Sequence, residues 1–491
     1  MQASPAPPSH PHKGLAESGV NSENYAHIEE NPIKQVAQEP VSTFSIDVDT
    51  ASYSNMRRIL KGGEMLPKDA VRVEELINYF SYDYPQPKSK QSPLSVTAKT
   101  LPSPWNPETR LLHVGIKGFE IQPDQRPSAN LVFLVDVSGS MASTEKLELV
   151  KKSFKFLVKV LRSDDRVSII GYSDHTRVLL EPTPGDQTVR IMSVINRLEA
   201  GGSTNGSAGL EMAYDLAREN YAADKLNRIL IATDGDFNFG TTREKSLEDQ
   251  VARERENSIF LSVLGYGRGN YNDAMMQTLS QAGNGIALYV DSLLEARKIF
   301  SNDLFANLFP IANDVKIQVE FNPAQVAEYR LVGYENRLLN REDFNNDKVD
   351  AGEIGSGHTV TAIYEYVPTQ SKFRYIAPLR YPKAKTQPTK EGDLSEEVAF
   401  IRLRYKRLGE KVSHLMEKPV TPRDAIATFS TAPIDMQFAA TVAGFGQWVR
   451  QSPYLKAFSL EDVSRLGQAA KGKDPYGYRA EFLSLIPLVK P

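Results

Sequence analysis

Asp136, Ser138 and Ser140, in the run Leu131-Val-Phe-Leu-Val-Asp-Val-Ser-Gly-Ser-Met141, set three oxygen side chains where an almost wholly apolar segment ends. Two later segments add to them. The loop Gly201-Gly-Ser-Thr-Asn205 carries Thr204 ahead of a helical pattern, and the apolar run Arg228-Ile-Leu-Ile-Ala-Thr-Asp234 ends on a second carboxylate, Asp234. Two carboxylates and three hydroxyls form a hard donor set that favours Mg²⁺, a small ion that wants six oxygens and keeps part of its water. So few anionic protein ligands leave the ion electrophilic, with a position that a carboxylate from another protein can take. Asp and Ser are also ordinary helix N-caps, and any one of these residues alone would read that way. Five oxygen residues at three strand or loop ends favour the ion.

The elements that must hold such a set are readable from periodicity. A buried parallel strand is a continuous apolar run, and ligands of open α/β sheets sit just past the carboxyl ends of the strands. Residues 128–304 alternate accordingly: strand 131–136, helix 145–161, strands 166–172 and 177–181, helices 188–198 and 204–220, strand 228–233, helix 242–256, strand 259–265, helix 271–282, strand 286–290 and helix 293–304. This predicts an α/β fold, a doubly wound, mostly parallel sheet covered by helices, with one antiparallel edge strand. After residue 310 strands follow without helices, at 314–320, 328–332, 358–366 and 398–405, which predicts a β-sandwich over 310–410. Residues 41–125 hold a small α/β piece and a hairpin at 94–121, which would join that sandwich and make the metal-bearing unit an insertion beside it. Residues 420–491 return to helical spacing, and residues 1–40, rich in Pro, Ser and Asn, read as a disordered tether.

The order Asp-x-Ser-x-Ser, Thr, Asp resembles the metal-ion-dependent adhesion site (MIDAS) of the von Willebrand factor type A (VWA) family, and all five positions match. The resemblance implies a Rossmann-like doubly wound domain that binds Mg²⁺ or Mn²⁺, with Ca²⁺ as a further candidate, and recognises an acidic residue of a partner protein. The flanks Ser42-Thr-Phe-Ser-Ile-Asp-Val-Asp-Thr-Ala-Ser-Tyr-Ser54 and Asp474-Pro-Tyr-Gly-Tyr-Arg-Ala-Glu-Phe482 resemble a bacterial subgroup with an extra N-terminal segment and an uncharacterised C-terminal domain. That likeness implies a cell-envelope protein, periplasmic, surface-exposed or lipid-anchored, whose leader is absent from this sequence. The alternatives are a cytoplasmic assembly factor docking on a partner ATPase and, further off, a metal-dependent hydrolase.

Composition narrows the rest. The 491 residues include 58 basic and 61 acidic side chains, well mixed, giving a net charge of −3 and no basic stripe for nucleic acid. There is no cysteine, which removes thiolate chemistry, and no apolar run of about 18 residues to span a membrane. Gly467-Gln-Ala-Ala-Lys-Gly-Lys473 has P-loop spacing but is followed by Asp474 where a hydroxyl is needed. Gly171-Tyr-Ser-Asp-His175 lacks the second glycine of a nucleophile elbow and reads as a turn. Asp343, Asn345 and Asp347 stand at the first, third and fifth positions of a calcium loop, but Lys348 and Ile354 break the pattern. A solvated turn is the expectation there, with a weak second cation site as the minority reading. For Asp47 and Asp49 the expectation is a helix cap at Asp49 or Thr50, with a carboxylate pair as the alternative.

Overall fold

The computed structural model describes residues 23, 25–46, 49–235, 241–268, 271–349, 351–377 and 396–490. Strands β1 (Lys34–Gln35) and β2 (Val41–Ser45) precede helices α1 (Ala51–Lys61) and α2 (Val73–Asn78) and the hairpin β3 (Leu94–Pro102) and β4 (Arg110–Gly118). There follows a six-stranded sheet of β5 (Ala129–Asp136), β6 (Arg166–Tyr172), β7 (Thr176–Pro184), β8 (Leu226–Thr233), β9 (Ile259–Tyr266) and β10 (Ala287–Val290), in the order β10-β9-β8-β5-β6-β7. All neighbours are parallel except β7, which runs antiparallel to β6 at the edge.

Every residue of β5 is buried, because helices cover both faces of this sheet. One face packs against α3 (Leu147–Val158), α4 (Thr188–Asn196) and α8 (Leu293–Arg297); the other packs against α5 (Gly206–Glu219), α6 (Thr241–Glu256) and α7 (Asp273–Ala282). The expected helix over 293–304 is broken: α8 runs into a π-helical turn at Lys298–Asn302, and α9 (Leu304–Leu308) follows.

The remaining strands are β11 (Pro310–Phe321), β12 (Val326–Val332), β13 (Gly352–Gly355), β14 (Thr359–Pro368), β15 (Ala399–Arg407) and β16 (His414–Val420). They form two facing sheets with strands from the start of the chain: β1-β12-β14-β4-β3, and β13-β11-β15-β16 with β2 on β11. In β15 the alternation is visible, with Ala399, Ile401, Leu403 and Tyr405 buried and Arg402, Arg404 and Lys406 half-buried, as a sheet with one wet face requires. Three helices, α10 (Ile434–Val449), α11 (Leu460–Ala469) and α12 (Tyr478–Leu485), share a core with α1 and α2.

Several expectations need correction. Within the segment expected as tether, Val36 is buried, β1 pairs with β12, and the Asn31 amide donates to the carbonyls of Leu331 and Gly333 at 3.2 and 2.7 Å. Of the two cap candidates, Thr50 holds the N-cap position of α1, without a side-chain bond, and Asp49 instead accepts the Ala287 N–H at 2.8 Å and Arg337 at 2.7 Å; Asp47 lies outside the described residues. At Asp343, Asn345 and Asp347, where a turn was the expectation and a weak second cation site the minority reading, the acceptors are taken up within the protein. Asp343 caps its own 3₁₀ turn, Asn345 and Asp347 accept from Arg404, and Lys316 and Lys406 donate to carbonyls of the same loop. Three basic side chains, Arg404, Lys316 and Lys406, thus bond to this loop.

Buried ion pairs fix the N-terminal helices to the parallel sheet. Arg57 is fully buried and donates to Asp291 (2.8 Å), Glu295 (2.6 Å), Tyr79 (2.8 Å) and Glu481 (2.9 Å), joining α1 to the end of β10, to α8 and to α12. Arg72 makes a two-pronged contact with Asp273 at 2.7 and 2.8 Å and pairs with Glu75. Such pairs cost desolvation, so their geometry fixes orientation more than it adds stability.

Candidate metal centre

Register brings the two carboxylates to the same end of neighbouring strands, Asp234 one residue beyond the level of Asp136. Val135 of β5 pairs with Ala232 of β8, so Asp136 and Asp234 leave adjacent parallel strands at the same edge of the sheet. Both are fully buried. On the other side Asp136 pairs with Tyr172 of β6, whose hydroxyl donates to Asp136 Oδ2 at 3.2 Å; the Thr233 hydroxyl reaches the same oxygen at 3.4 Å. Asp136 Oδ1 accepts the Ser138 backbone N–H at 2.9 Å, a local turn that swings the chain back over the strand end. Ser138 and Ser140 then meet through their hydroxyls at 3.0 Å, Ser138 buried and Ser140 open to solvent.

Thr204 arrives by backbone ties. The Gly139 N–H donates to the Gly202 carbonyl at 2.9 Å and the Gly201 N–H to the Val137 carbonyl at 2.8 Å, stitching the Thr204 loop to the serine turn. Asp174 supports the loop from behind, accepting the Ser203 N–H at 2.6 Å. Gly202 has φ +82°, and a Cβ there would stand 1.6 Å from Asp174 Oδ1, so the loop needs glycine at this point. Ser173, Asp174 and His175 form the expected turn: the Ser173 N–H donates to the His175 carbonyl.

Burial pushes the Asp136 carboxyl up to about 6; the neighbouring Asp234 charge adds to the rise, while hydrogen bonds from Ser138 and Tyr172 oppose it. Two buried carboxylates at one strand edge call for compensating positive charge, part of which the Lys146 ammonium supplies at Asp234. Among the described residues, no group of three or more His, Cys, Asp or Glu side chains converges, so hydroxyls must complete any donor set at this edge. The residues present fit a hard dication: every donor is oxygen, two are carboxylates, and Ser140 marks the solvent side.

The sequence singled out Asp136, Ser138, Ser140, Thr204 and Asp234, and the fold carries all five to one edge of the sheet. It gave no sign of three others. Tyr172 and Thr233 brace Asp136, and Lys146, the residue just before α3, extends its ammonium to Asp234 Oδ2 at 2.8 Å. Tyr172 and Thr233 could have been suspected, since both stand at the ends of the strands flanking β5. Lys146 carried no comparable signal.

Comparisons with known proteins find relatives for most of the chain. A family model described as von Willebrand factor type A domain matches residues 131–236, one described as von Willebrand factor matches 19–113, and one described as uncharacterized protein YfbK, C-terminal, matches 306–490. The uncharacterized protein YfbK of Escherichia coli (strain K12) is 44% identical over 470 residues, covering 94% of this chain and 80% of that protein. Human inter-alpha-trypsin inhibitor heavy chain H3 is 27% identical over 173 residues, which is 33% of this chain and 19% of the human protein. Among solved structures, a von Willebrand factor type A protein from Catenulispora acidiphila aligns over 80% of this chain and 89% of its own at 13% identity, with a TM-score of 0.43.

Proposed function

The chain belongs to the family of bacterial von Willebrand factor type A proteins that carry the YfbK-type C-terminal region, and from that membership we propose a divalent-metal-dependent protein-binding role. Ser138, Ser140 and Thr204 would hold Mg²⁺ or Mn²⁺, with Asp136 and Asp234 acting directly or through water. The bound ion supplies an electrophilic position for an acidic residue of a partner. One observation carries the reading: two fully buried carboxylates on adjacent strands face a serine turn that opens to solvent at Ser140.

The surrounding groups support binding over catalysis. Tyr172 and Lys146 donate to the two carboxylates, and Thr233 lies within reach of Asp136, so the neighbours hold the carboxylates in place. The ties between residues 137–139 and 201–202 keep the donor set assembled, which a binding centre needs in order to meet a partner without reorganising. The cell envelope is the proposed location; no described helix is long and apolar enough to cross a membrane.

Capture from an envelope extract on immobilised protein in Mg²⁺, followed by EDTA elution and mass spectrometry, tests the reading. Asp136→Ala is expected to leave the chain folded and to abolish EDTA-releasable capture, because charge-assisted contact with a partly dehydrated dication dominates a small interface. Equal capture by the variant, or by the wild type in EDTA, would refute it.

A further inference from the structure

Lys146 is built into the centre. Its side chain is 11% exposed, and its ammonium meets Asp234, whose side chain is 0% exposed, at 2.8 Å. The aliphatic stem lies against Gly267, which has φ +78°; a Cβ there would stand 2.4 Å from Lys146 Cγ and 2.5 Å from Cε. The passage for the stem therefore exists only because residue 267 is glycine. That glycine is itself held, since the Tyr289 hydroxyl donates to its carbonyl. Next to it, Arg268 clasps Glu145 at 2.9 and 3.0 Å, joining the loop after β9 to the residue before Lys146.

We propose that Lys146 sets the charge of the metal centre and thereby its selectivity between empty, metal-loaded and carboxylate-bound states. The inference rests on the metal-binding reading above. Asp136 and Asp234 bring two carboxylates to the centre, and Lys146 adds one positive charge beside Asp234. The centre is therefore one unit more positive with Lys146 than without it, whether empty or loaded. Two consequences of opposite sign follow. The ammonium competes with the dication for Asp234 and repels it, so metal binds more weakly than the donor set alone would allow. Once loaded, the centre attracts an entering carboxylate more strongly, because the ammonium stays threaded past Gly267. Lys146 thus trades metal affinity for anion affinity, and the partner it suits is an acidic side chain rather than a neutral oxygen donor.

The test uses the full chain and two probes, Mn²⁺ followed by electron paramagnetic resonance and acetate titrated into the Mn²⁺-loaded protein by water-proton relaxation. Lys146→Met keeps the length and packing of the stem and removes the charge. It is expected to tighten Mn²⁺ by about tenfold or more and to weaken acetate by a comparable factor, as loss of one nearby unit charge requires. Lys146→Arg should stay near the wild type in both. Lys146→Gln gives the same comparison if the Met variant folds poorly, and damage to the site would weaken both ligands together. Unchanged or weaker Mn²⁺ binding in the neutral variants, or unchanged or tighter acetate binding, overturns the inference. Asp136→Asn separates the two claims. Mn²⁺ binding that Asp136→Asn abolishes but Lys146→Met leaves unchanged sinks only the role of Lys146; no Mn²⁺ binding in either the wild type or Lys146→Met sinks both.

Discussion

Replacing Asp136 by Asn should stabilise the metal-free protein while destroying its metal site. In the folded chain burial pushes this carboxyl up to about 6, against an ordinary value near 3.9. A raised carboxyl pKa means that the folded form binds the proton more tightly than the unfolded form. Stability of the metal-free protein therefore falls as pH rises from about 4 to about 6 and stays reduced above that, by about 3 kcal/mol in the limit. Asparagine has the same shape and still offers an oxygen to the Ser138 N–H, although its amide nitrogen obliges the Tyr172 hydroxyl to turn from donor to acceptor. Allowing for that adjustment, the net gain at pH 7.5 in EDTA is about 1–3 kcal/mol, or about 2–4 °C of apparent Tm per kcal/mol for a domain of this size. Thermal unfolding followed by circular dichroism reads it directly. At pH 4.5 the gain should shrink strongly, because the wild-type carboxyl is then mostly protonated. Saturating Mg²⁺ should reverse the order, since only the wild type gains by binding, about 4.1 kcal/mol at about one thousand times Kd. An Asp136→Asn protein no more stable than wild type in EDTA at pH 7.5, or equally stabilised at both pH values, would refute the electrostatic account.

Two further outcomes follow from buried charge elsewhere. Arg57→Ala removes the guanidinium shared by Asp291, Glu295 and Glu481, and should cost about 3–5 kcal/mol in urea unfolding with earlier proteolytic cleavage; a loss below about 1 kcal/mol would contradict it. His113 is buried, bonded to the Tyr84 hydroxyl at 2.8 Å, and held down to about 4 by burial. Its contribution is present above the unfolded value near 6.5 and is lost as pH falls toward 4, about 2–3 kcal/mol by pH 4.5. His113→Gln should flatten that acid dependence in denaturant titrations, and an unaltered slope would count against it.

The parallel sheet was legible because burial on both faces leaves an unbroken apolar run such as β5, and the five proposed donors stood out because each sits at or just past such a run's end or in a glycine loop. Elsewhere the deciding partner is remote. Lys34 and Gln35 have no strand signature, and β12 makes them a strand. In β16, Pro419 argues against a strand, but β16 pairs only with β15, and an edge tolerates proline. The acidic loop at 343–347 read as a turn, with a cation site as the minority reading, and the basic side chains that bond to it, Arg404, Lys406 and Lys316, come from strands remote in sequence. Lys146 escaped notice for the same reason: its course depends on a glycine in the loop after β9.

The interleaving of chain ends in the two facing sheets sets an order of events during synthesis. Asn31 and Leu331 stand 300 positions apart, yet bond directly, and β4 finds its neighbour β14 only after the whole parallel sheet has been made. Closing so long a loop from an open chain is slow. Once β5 to α9 has collapsed into its own unit, the segments that flank it can meet as they do in the finished fold, where a Cβ on Gly118 would stand 3.1 Å from Ile311. The early strands then face a short gap instead of a long one. A lesion that delays collapse of the central sheet should therefore leave β1, β2 and the β3–β4 hairpin waiting on the ribosome without their partners β12, β11 and β14, so aggregation during translation would begin in a region the lesion does not touch.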